Sequence, residues 1–490
     1  MKSPNNTKYG QMAIFGIAWK TLETFIVNAL QTLIFIILAR ILLPEDFGVV
    51  AIVAAFVGIS NIFVSSGLGT ALIQKENIDE LDRSSVLFFS TVIACLIYVI
   101  IFFSSSYIAG FYEENIIEDI LKIYSVSIIF SAVTGVQKSV LIRKLAFKEI
   151  FFVSSFAVLI SGSISIFMAL NDYGVYALVF NSLMVGFLSI FGFSIYMKWI
   201  PKLIFSYKRL CSLLRYAYKL LLANLIDVFY INMFPILIGK SFNTELLGYY
   251  NNGRQIPALI FSSINGSVNS VTFSLYSKYQ NDLENLKQVV RKTIVISNFS
   301  ILPIMVFLIF LAEPIVVTVL TDKWIFSVPY LQFFCLVYGL HHQHTIAFQA
   351  IAAIGRSEIF LKYEIFKKAF GIIVFLYTLQ FDLIAIVIGQ FFVAIFSILI
   401  STFPNKKILK YGFYEQFIDF MPYILLSSAL YFFLIYSNQI DIAKYQLIIF
   451  QLVIGSLLYF LLSFLFRIKG YYIFKQIMNV YLITFFKKFH

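Results

Sequence analysis

The chain has 490 residues, 60% of them hydrophobic and 13% charged, with a formal net charge of +12. Ordinary globular chains have roughly 45–50% apolar and about 25% charged residues, so this one has more apolar surface than a water-soluble core can hide and requires lipid as its solvent. Its basic residues fall in short loops between apolar runs, not on a polar domain able to dock a duplex, so nucleic acid is not an expected partner.

Windows of roughly twenty apolar residues, the length of a helix that crosses a bilayer, predict an all-α polytopic membrane protein with about fourteen transmembrane helices. They lie near 12–38, 47–66, 85–108, 120–140, 150–170, 174–197, 218–238, 246–275, 293–312, 329–352, 364–380, 383–402, 418–437 and 445–466. The first follows a polar start, Met1–Gly10; its apolar run is too long for a signal-peptide core and has no small-residue cleavage site, so it reads as a spanning helix. Within it Lys20, Thr24, Asn28 and Gln31 share one face, and Glu23 stands one turn from Lys20. An ionisable group at mid-membrane costs about 2.5–3.5 kcal/mol on insertion scales and needs a partner, a wet cavity or an interfacial position. The stripe reads either as one wall of a hydrophilic cavity or as an interfacial pair that snorkels to the inner surface.

The seventh predicted helix holds Asp227, read from its apolar surroundings as a buried acid that pairs with Arg254, exchanges a proton or serves a neighbouring helix structurally. In the eighth, Asn251, Arg254, Ser262, Asn265 and Asn269 recur on one face, and Pro257 and Gly266 interrupt the run. A lone Arg in such a stripe suits an anion site facing a cavity; the alternative is an interfacial Arg beside Tyr249 and Tyr250. His341 and His344 share a face at i and i+3, but no Cys or carboxylate motif accompanies them, so they read as cavity-lining groups and no metal is expected. Cys95, Cys211 and Cys335 have no paired spacing and suggest neither disulfides nor a zinc site.

With the N-terminus inside, the inner loops collect Arg143, Lys144 and Lys148, then Lys198 to Arg215, Lys278 to Lys292, Arg356 to Lys368 and Lys406 to Lys410. The opposite loops carry Glu45, Asp46, Glu113, Glu114, Glu118, Asp119, Asp172, Asp382 and Asp441. This bias predicts an even helix count with both termini cytoplasmic. Leu38-Ala-Arg-Ile-Leu-Leu-Pro-Glu-Asp-Phe-Gly48 aligns with Ile238-Gly-Lys-Ser-Phe-Asn-Thr-Glu-Leu-Leu-Gly248, pairing Arg40 with Lys240, Glu45 with Glu245 and Gly48 with Gly248. A helix pair with the same outer loop thus recurs about 200 residues on, the spacing of two six-helix lobes in parallel repeat. The expected division is 1–200, 201–410 and a C-terminal helix pair with tail at 411–490.

There is no Walker-type loop and no Gly-rich dinucleotide fingerprint, so no cofactor is expected, and transport energy has to come from a gradient, H+ or Na+, or from consumption of the product. The outer loops are too short for a carboxylate-bearing catalytic domain, which argues against a membrane glycosyltransferase or other enzyme.

Several segments in order, Leu38 to Gly48, Gly67-Leu-Gly-Thr-Ala-Leu-Ile-Gln74, Arg143-Lys-Leu-Ala-Phe-Lys148, Leu247-Gly-Tyr-Tyr-Asn251, Gly253-Arg-Gln-Ile-Pro257 and Ala353 to Lys362, carry a family resemblance. On these the chain resembles the polysaccharide flippases of the multidrug, oligosaccharidyl-lipid and polysaccharide exporter superfamily, in particular the colanic acid and exopolysaccharide branch. The resemblance implies two six-helix lobes about a cationic cavity, an outer helix pair, and residence in a bacterial cytoplasmic membrane. It implies an undecaprenyl-pyrophosphate-linked oligosaccharide as substrate, moved outward for O-antigen, capsule or exopolysaccharide assembly, with membrane lipids and polysaccharide polymerase machinery as partners. It also implies Arg at Thr24 and at Asn252, where this sequence departs; Lys20 stands one turn from Thr24. A drug or cation antiporter of the same superfamily and a flippase for the peptidoglycan precursor are the rival readings. An antiporter for cations wants an acidic cavity, whereas Lys20 and Arg254 against Glu23 and Asp227 is balanced to basic.

Overall fold

A computed structural model describes residues 4–65, 67–197, 199, 202, 204–440, 444–476 and 478–479. The described secondary structure is helical, and fourteen long helices follow in order. They are α1 (Pro4–Ile41), α2 (Pro44–Ser65), α3 (Glu80–Tyr112), α4 (Val126–Arg143), α5 (Phe147–Leu170), α6 (Val175–Met197), α7 (Tyr207–Ser241), α8 (Thr244–Lys278), α9 (Leu283–Phe310), α10 (Val328–Ala353), α11 (Ser357–Thr378), α12 (Leu383–Leu409), α13 (Phe413–Ser437) and α14 (Lys444–Leu465). Ten stretches among the described residues are long and apolar enough to cross a membrane. The other long helices, α4, α7, α8 and α11, are the ones that carry Lys138, Asp227, Arg254 and the Glu364–Lys368 run.

Several boundaries differ from expectation for physical reasons. The helix expected at 120–140 is two, Ile116–Tyr124 and α4, meeting at Ser125. Helix α7 begins at Tyr207 and α11 at Ser357, so Arg209, Arg215, Lys362, Lys367 and Lys368, expected in loops, lie on helices. Lys and Arg have good helix propensity, which an apolar window cannot register. Pro257 and Gly266 do not interrupt α8, which runs from Thr244 to Lys278.

By packing, the chain divides into two units, Met1–Gly248 and Tyr249–His490. In the first, α1 lies on α5, α5 on α6, and α2 on α7. The repeat is visible here as a reciprocal contact. A Cβ built on Gly48 would stand 1.7 Å from the carbonyl oxygen of Thr244, and one built on Gly248 would stand 2.0 Å from that of Pro44. Pro44 and Thr244 are themselves equivalent in the alignment, so each half of the repeat presents the same surface to the other, as in an isologous two-fold contact. Nearby, Lys240 reaches Glu113 at 3.0 Å and Tyr112 Oη donates to the Ile236 carbonyl at 3.0 Å.

In the second unit α10 packs on α9 and α12, and α13 packs on α9. The last pair is anchored by polar contacts. Arg291 grips Asp419 with Nε and Nη2 at 2.6 and 2.8 Å, Tyr411 Oη donates to the same carboxylate at 3.0 Å, and Lys287 meets Glu415 at 2.8 Å. Tyr459 Oη on α14 donates to the Phe299 carbonyl at 3.1 Å, beside an aromatic cluster of Phe299, Tyr423 and Phe460.

Candidate functional site

Besides the Arg291–Asp419 anchor and the ion pairs about Asp82, each unit holds a cluster of charges on its long helices among the described residues. In the first, Glu23 is buried and Lys20, one turn earlier on α1, forms an ion pair with it. Lys138 on α4 stands 3.7 Å from the other carboxylate oxygen of Glu23. The arrangement is one buried carboxylate held by two ammonium groups, each more than a third exposed, so it carries one net positive charge. Lys138 was missed by sequence reasoning, although a lysine inside a predicted span was a legible signal. Gln31, further along the same face of α1, is exposed. Asp227 is a correction: it is exposed on α7, not buried. Apolar neighbours in sequence place an acid on an apolar helix, but not on its buried face.

In the second unit the polar groups form a row. Arg254 on α8 is half-buried, and its Nε donates to Tyr338 Oη on α10 at 3.3 Å. Tyr338 is followed at helical spacing by His341, its ring 6.3 Å away, and His341 by His344 at 4.5 Å, edge to face. Lys367 on α11 approaches His344 Nε2 at 3.2 Å and pairs with Glu364 at 2.7 Å. An ammonium only donates, so His344 Nε2 faces Lys367 as the acceptor of this contact. From Tyr338 to His344 the helix rises about 9 Å, so Arg254 and Lys367 bracket a short path of hydrogen-bonding rings. On another face of α10, His342 Nε2 meets Asn298 at 2.7 Å.

Two further asparagines on α8 belong with this row by position. Asn251 and Asn265 are half-buried, with Nδ2 of the first and Oδ1 of the second lacking a hydrogen-bond partner among the described residues. Asn252, where the family resemblance implies Arg, is buried, and neither of its side-chain polar atoms has a partner among the described residues. The side chain of Asn269 lies outside the described residues. Lys367, Glu364 and Tyr338 were missed, although they fall inside the helices expected at 364–380 and 329–352.

Many helices, two units, a repeated helix pair and a charged cluster in each unit mark a polytopic membrane protein. The chain belongs to the polysaccharide biosynthesis protein family, whose profile matches residues 37–329. It is 21% identical over 422 residues to the teichuronic acid biosynthesis protein TuaB of Bacillus subtilis (strain 168), covering 85% of this chain and 86% of that one. To the lipopolysaccharide biosynthesis protein WzxC of Escherichia coli (strain K12) it is 22% identical, covering 83% and 84%. Its fold is shared with an inward closed conformation of the lipid II flippase MurJ, at a TM-score of 0.76 and 18% identity over 91% of this chain and 98% of that one. It also resembles an inward-facing multidrug resistance MATE family transporter, at a TM-score of 0.58 and 14% identity over 78% and 96%.

Proposed function

We propose that this protein is a flippase that moves lipid-linked oligosaccharide units from the cytoplasmic to the outer leaflet by alternating access, for assembly of a surface polysaccharide. Family membership supports the pathway, and a fold shared with a lipid II flippase supports the mode of transport. The observation that carries the reading is the row Arg254–Tyr338–His341–His344–Lys367. A sugar pyrophosphate crossing a membrane needs cations of fixed geometry and a line of hydrogen-bonding groups, whereas its polyprenyl tail stays in lipid and needs neither. Arg254 offers a planar fork to phosphate, and Asn251 and Asn265 bring unsatisfied amide atoms suited to sugar hydroxyls. Lys20, Glu23 and Gln31 belong to the corresponding path in the first unit, with exposed Asp227 as a further acid of that unit.

On this reading the protein works in the bacterial cytoplasmic membrane with both termini inside, divided functionally at 1–200, 201–410 and 411–490, coupled to an H+ or Na+ gradient, and delivering its cargo to polymerase machinery. It makes and breaks no covalent bond. The test is transbilayer movement in proteoliposomes loaded with defined lipids. Movement of undecaprenyl-pyrophosphate oligosaccharide, lost in Arg254→Gln, is the expected result. Preferential movement of the peptidoglycan lipid precursor, or of organic cations, would replace this substrate with a rival one.

A further inference from the structure

A second charged pocket lies in the first unit, outside the cluster at Glu23. Its walls are Asn77, Ile78, Arg83, Val140, Arg143 and Lys144, and its volume is about 240 Å³. That is roughly eight water volumes at about 30 Å³ each. Three of its six lining residues are cations, one is an amide, and no carboxylate lines it.

The local fold explains why these charges are held together. The short helix Leu68–Gln74 ends without capping side chains of its own, and Arg143, at the end of α4, donates to the carbonyls of Leu72 (3.3 Å), Ile73 (2.9 Å), Lys75 and Glu76. These are terminal carbonyls that a helix leaves unpaired, so Arg143 is a fixed positive charge, and no carboxylate pairs with it among the described residues. Of the neighbouring acids, Glu76 is exposed and the other three are paired with other cations. Asp82 binds Lys75 at 2.6 Å and lies 3.5 Å from Arg209, Asp79 pairs with Arg209, and Glu80 pairs with Lys202 at 2.9 Å. Arg83 remains, and its Nε is buried without an acceptor among the described residues. Buried donors are rarely left unmade, and an orphan one signals an absent partner. Lys144 stands exposed at the rim.

We propose that this pocket binds a phosphate group, with the Arg83 guanidinium as its principal donor and Lys144 closing over it. An Arg fork matches two phosphate oxygens, a fixed neighbouring cation raises the local potential, and Asn77 supplies a neutral donor. The loops at this end hold the basic excess of the chain, so a phosphodiester headgroup of an anionic phospholipid and a soluble phosphomonoester both have access. The site is separate from the proposed transport path and does not rest on the flippase reading.

The experiment uses the full-length protein. In detergent, its thermal midpoint is followed against inorganic phosphate and glycerol 3-phosphate, with chloride at matched ionic strength as control, since a ligand of the native state raises the midpoint by mass action. In nanodiscs, phosphatidylcholine alone is compared with phosphatidylcholine containing phosphatidylglycerol. Wild type and Lys208→Gln, an exposed basic control, are expected to respond equally. Arg83→Gln should raise the half-saturating concentration at least tenfold, and Lys144→Gln about threefold. A response to free phosphate alone assigns the site to soluble phosphates; a response to phosphatidylglycerol that Arg83→Gln removes assigns it to the headgroup. No wild-type response beyond chloride, or Arg83→Gln and Lys144→Gln both behaving as wild type, overturns the proposal. If Arg83→Gln fails to accumulate, exposed Lys144→Gln carries the same test.

Discussion

The two units hold their charges at helical depth by opposite designs. In the first, a single buried acid, Glu23, sits at the centre and two lysines from α1 and α4 neutralise it. In the second, two cations stand apart on α8 and α11, joined by tyrosine and histidine rings of α10. A carboxylate-centred cluster is compact and self-sufficient, because its charges satisfy one another. The row of the second unit is extended instead: Lys367 pairs with Glu364 at one end, and Arg254 meets Tyr338 at the other. On the proposed function, the first cluster also ties α1 to α4 through Glu23 and Lys138, and the second offers its arginine to the substrate.

The comparison breaks most sharply at Arg254. Arg254→Gln is expected to abolish export in a flippase-deficient strain while the protein still accumulates in the same membranes. Arg254→Lys should keep part of the activity, since charge remains but the bidentate fork is lost. Full export by Arg254→Gln would move the substrate role away from the second unit altogether.

Next in size is the contact that makes the repeat physical. Since a Cβ at Gly48 or Gly248 meets backbone and not a movable side chain, Gly48→Val and Gly248→Val should each cost about 3 kcal/mol, at the upper end of overpacking penalties. Membrane abundance and thermal midpoint are the measurements. Similar losses at both positions confirm the reciprocity, and a large loss at only one would break it.

A smaller effect is expected at Glu23. Glu23→Gln leaves Lys20 and Lys138 facing one another and should lower the thermal midpoint, while the double change Glu23→Gln with Lys138→Met should recover part of it. Transport should fall less than in Arg254→Gln. If transport is lost with no change in stability, the first cluster is also a substrate site and the asymmetry fails.

Much of this architecture was legible in the sequence. Apolar runs and loop charges located the helices in order, and the Gly48 and Gly248 pairing was readable because a parallel repeat preserves its turn residues. The sites were less legible. Periodicity says which residues share a face of one helix, so Lys20 and Glu23 came out together; it says nothing about the neighbouring helix that brings Lys138. Lys367 fell inside the expected helix 364–380, but nothing in the sequence brings its face to that of His344 on the neighbouring helix. Asp227 failed in the opposite sense, since apolar neighbours on both sides of an acid do not decide which way it points.

The finest comparison concerns two helix starts six helices apart, α3 and α9, capped by Asp79 and Asp282. Asp79 accepts from the Asp82 amide at 2.9 Å and pairs with Arg209, whereas Asp282 accepts from the Asn285 amide at 3.1 Å and its side chain at 2.6 Å. Both carboxyls are held below their usual range, Asp79 first by the Asp82 amide and further by Arg209, Asp282 first by the Asn285 side chain and then by its amide. A carboxyl whose folded pKa lies below its unfolded value takes up its proton more readily in the unfolded chain. Its contribution is therefore fully present above about pH 4, the ordinary aspartate range, and is lost as pH falls through the folded value. Asn still caps a helix but does not ionise, so Asp79→Asn and Asp282→Asn should each flatten the fall of the thermal midpoint on acidification. Salt separates them. The ion pair to Arg209 is exposed and screened, whereas the asparagine partner carries no charge, so raising ionic strength should shrink the Asp79→Asn difference and leave the Asp282→Asn difference unchanged. Equal salt sensitivity at both sites would mean that Arg209 contributes nothing to the Asp79 cap and that the two helix starts are held alike.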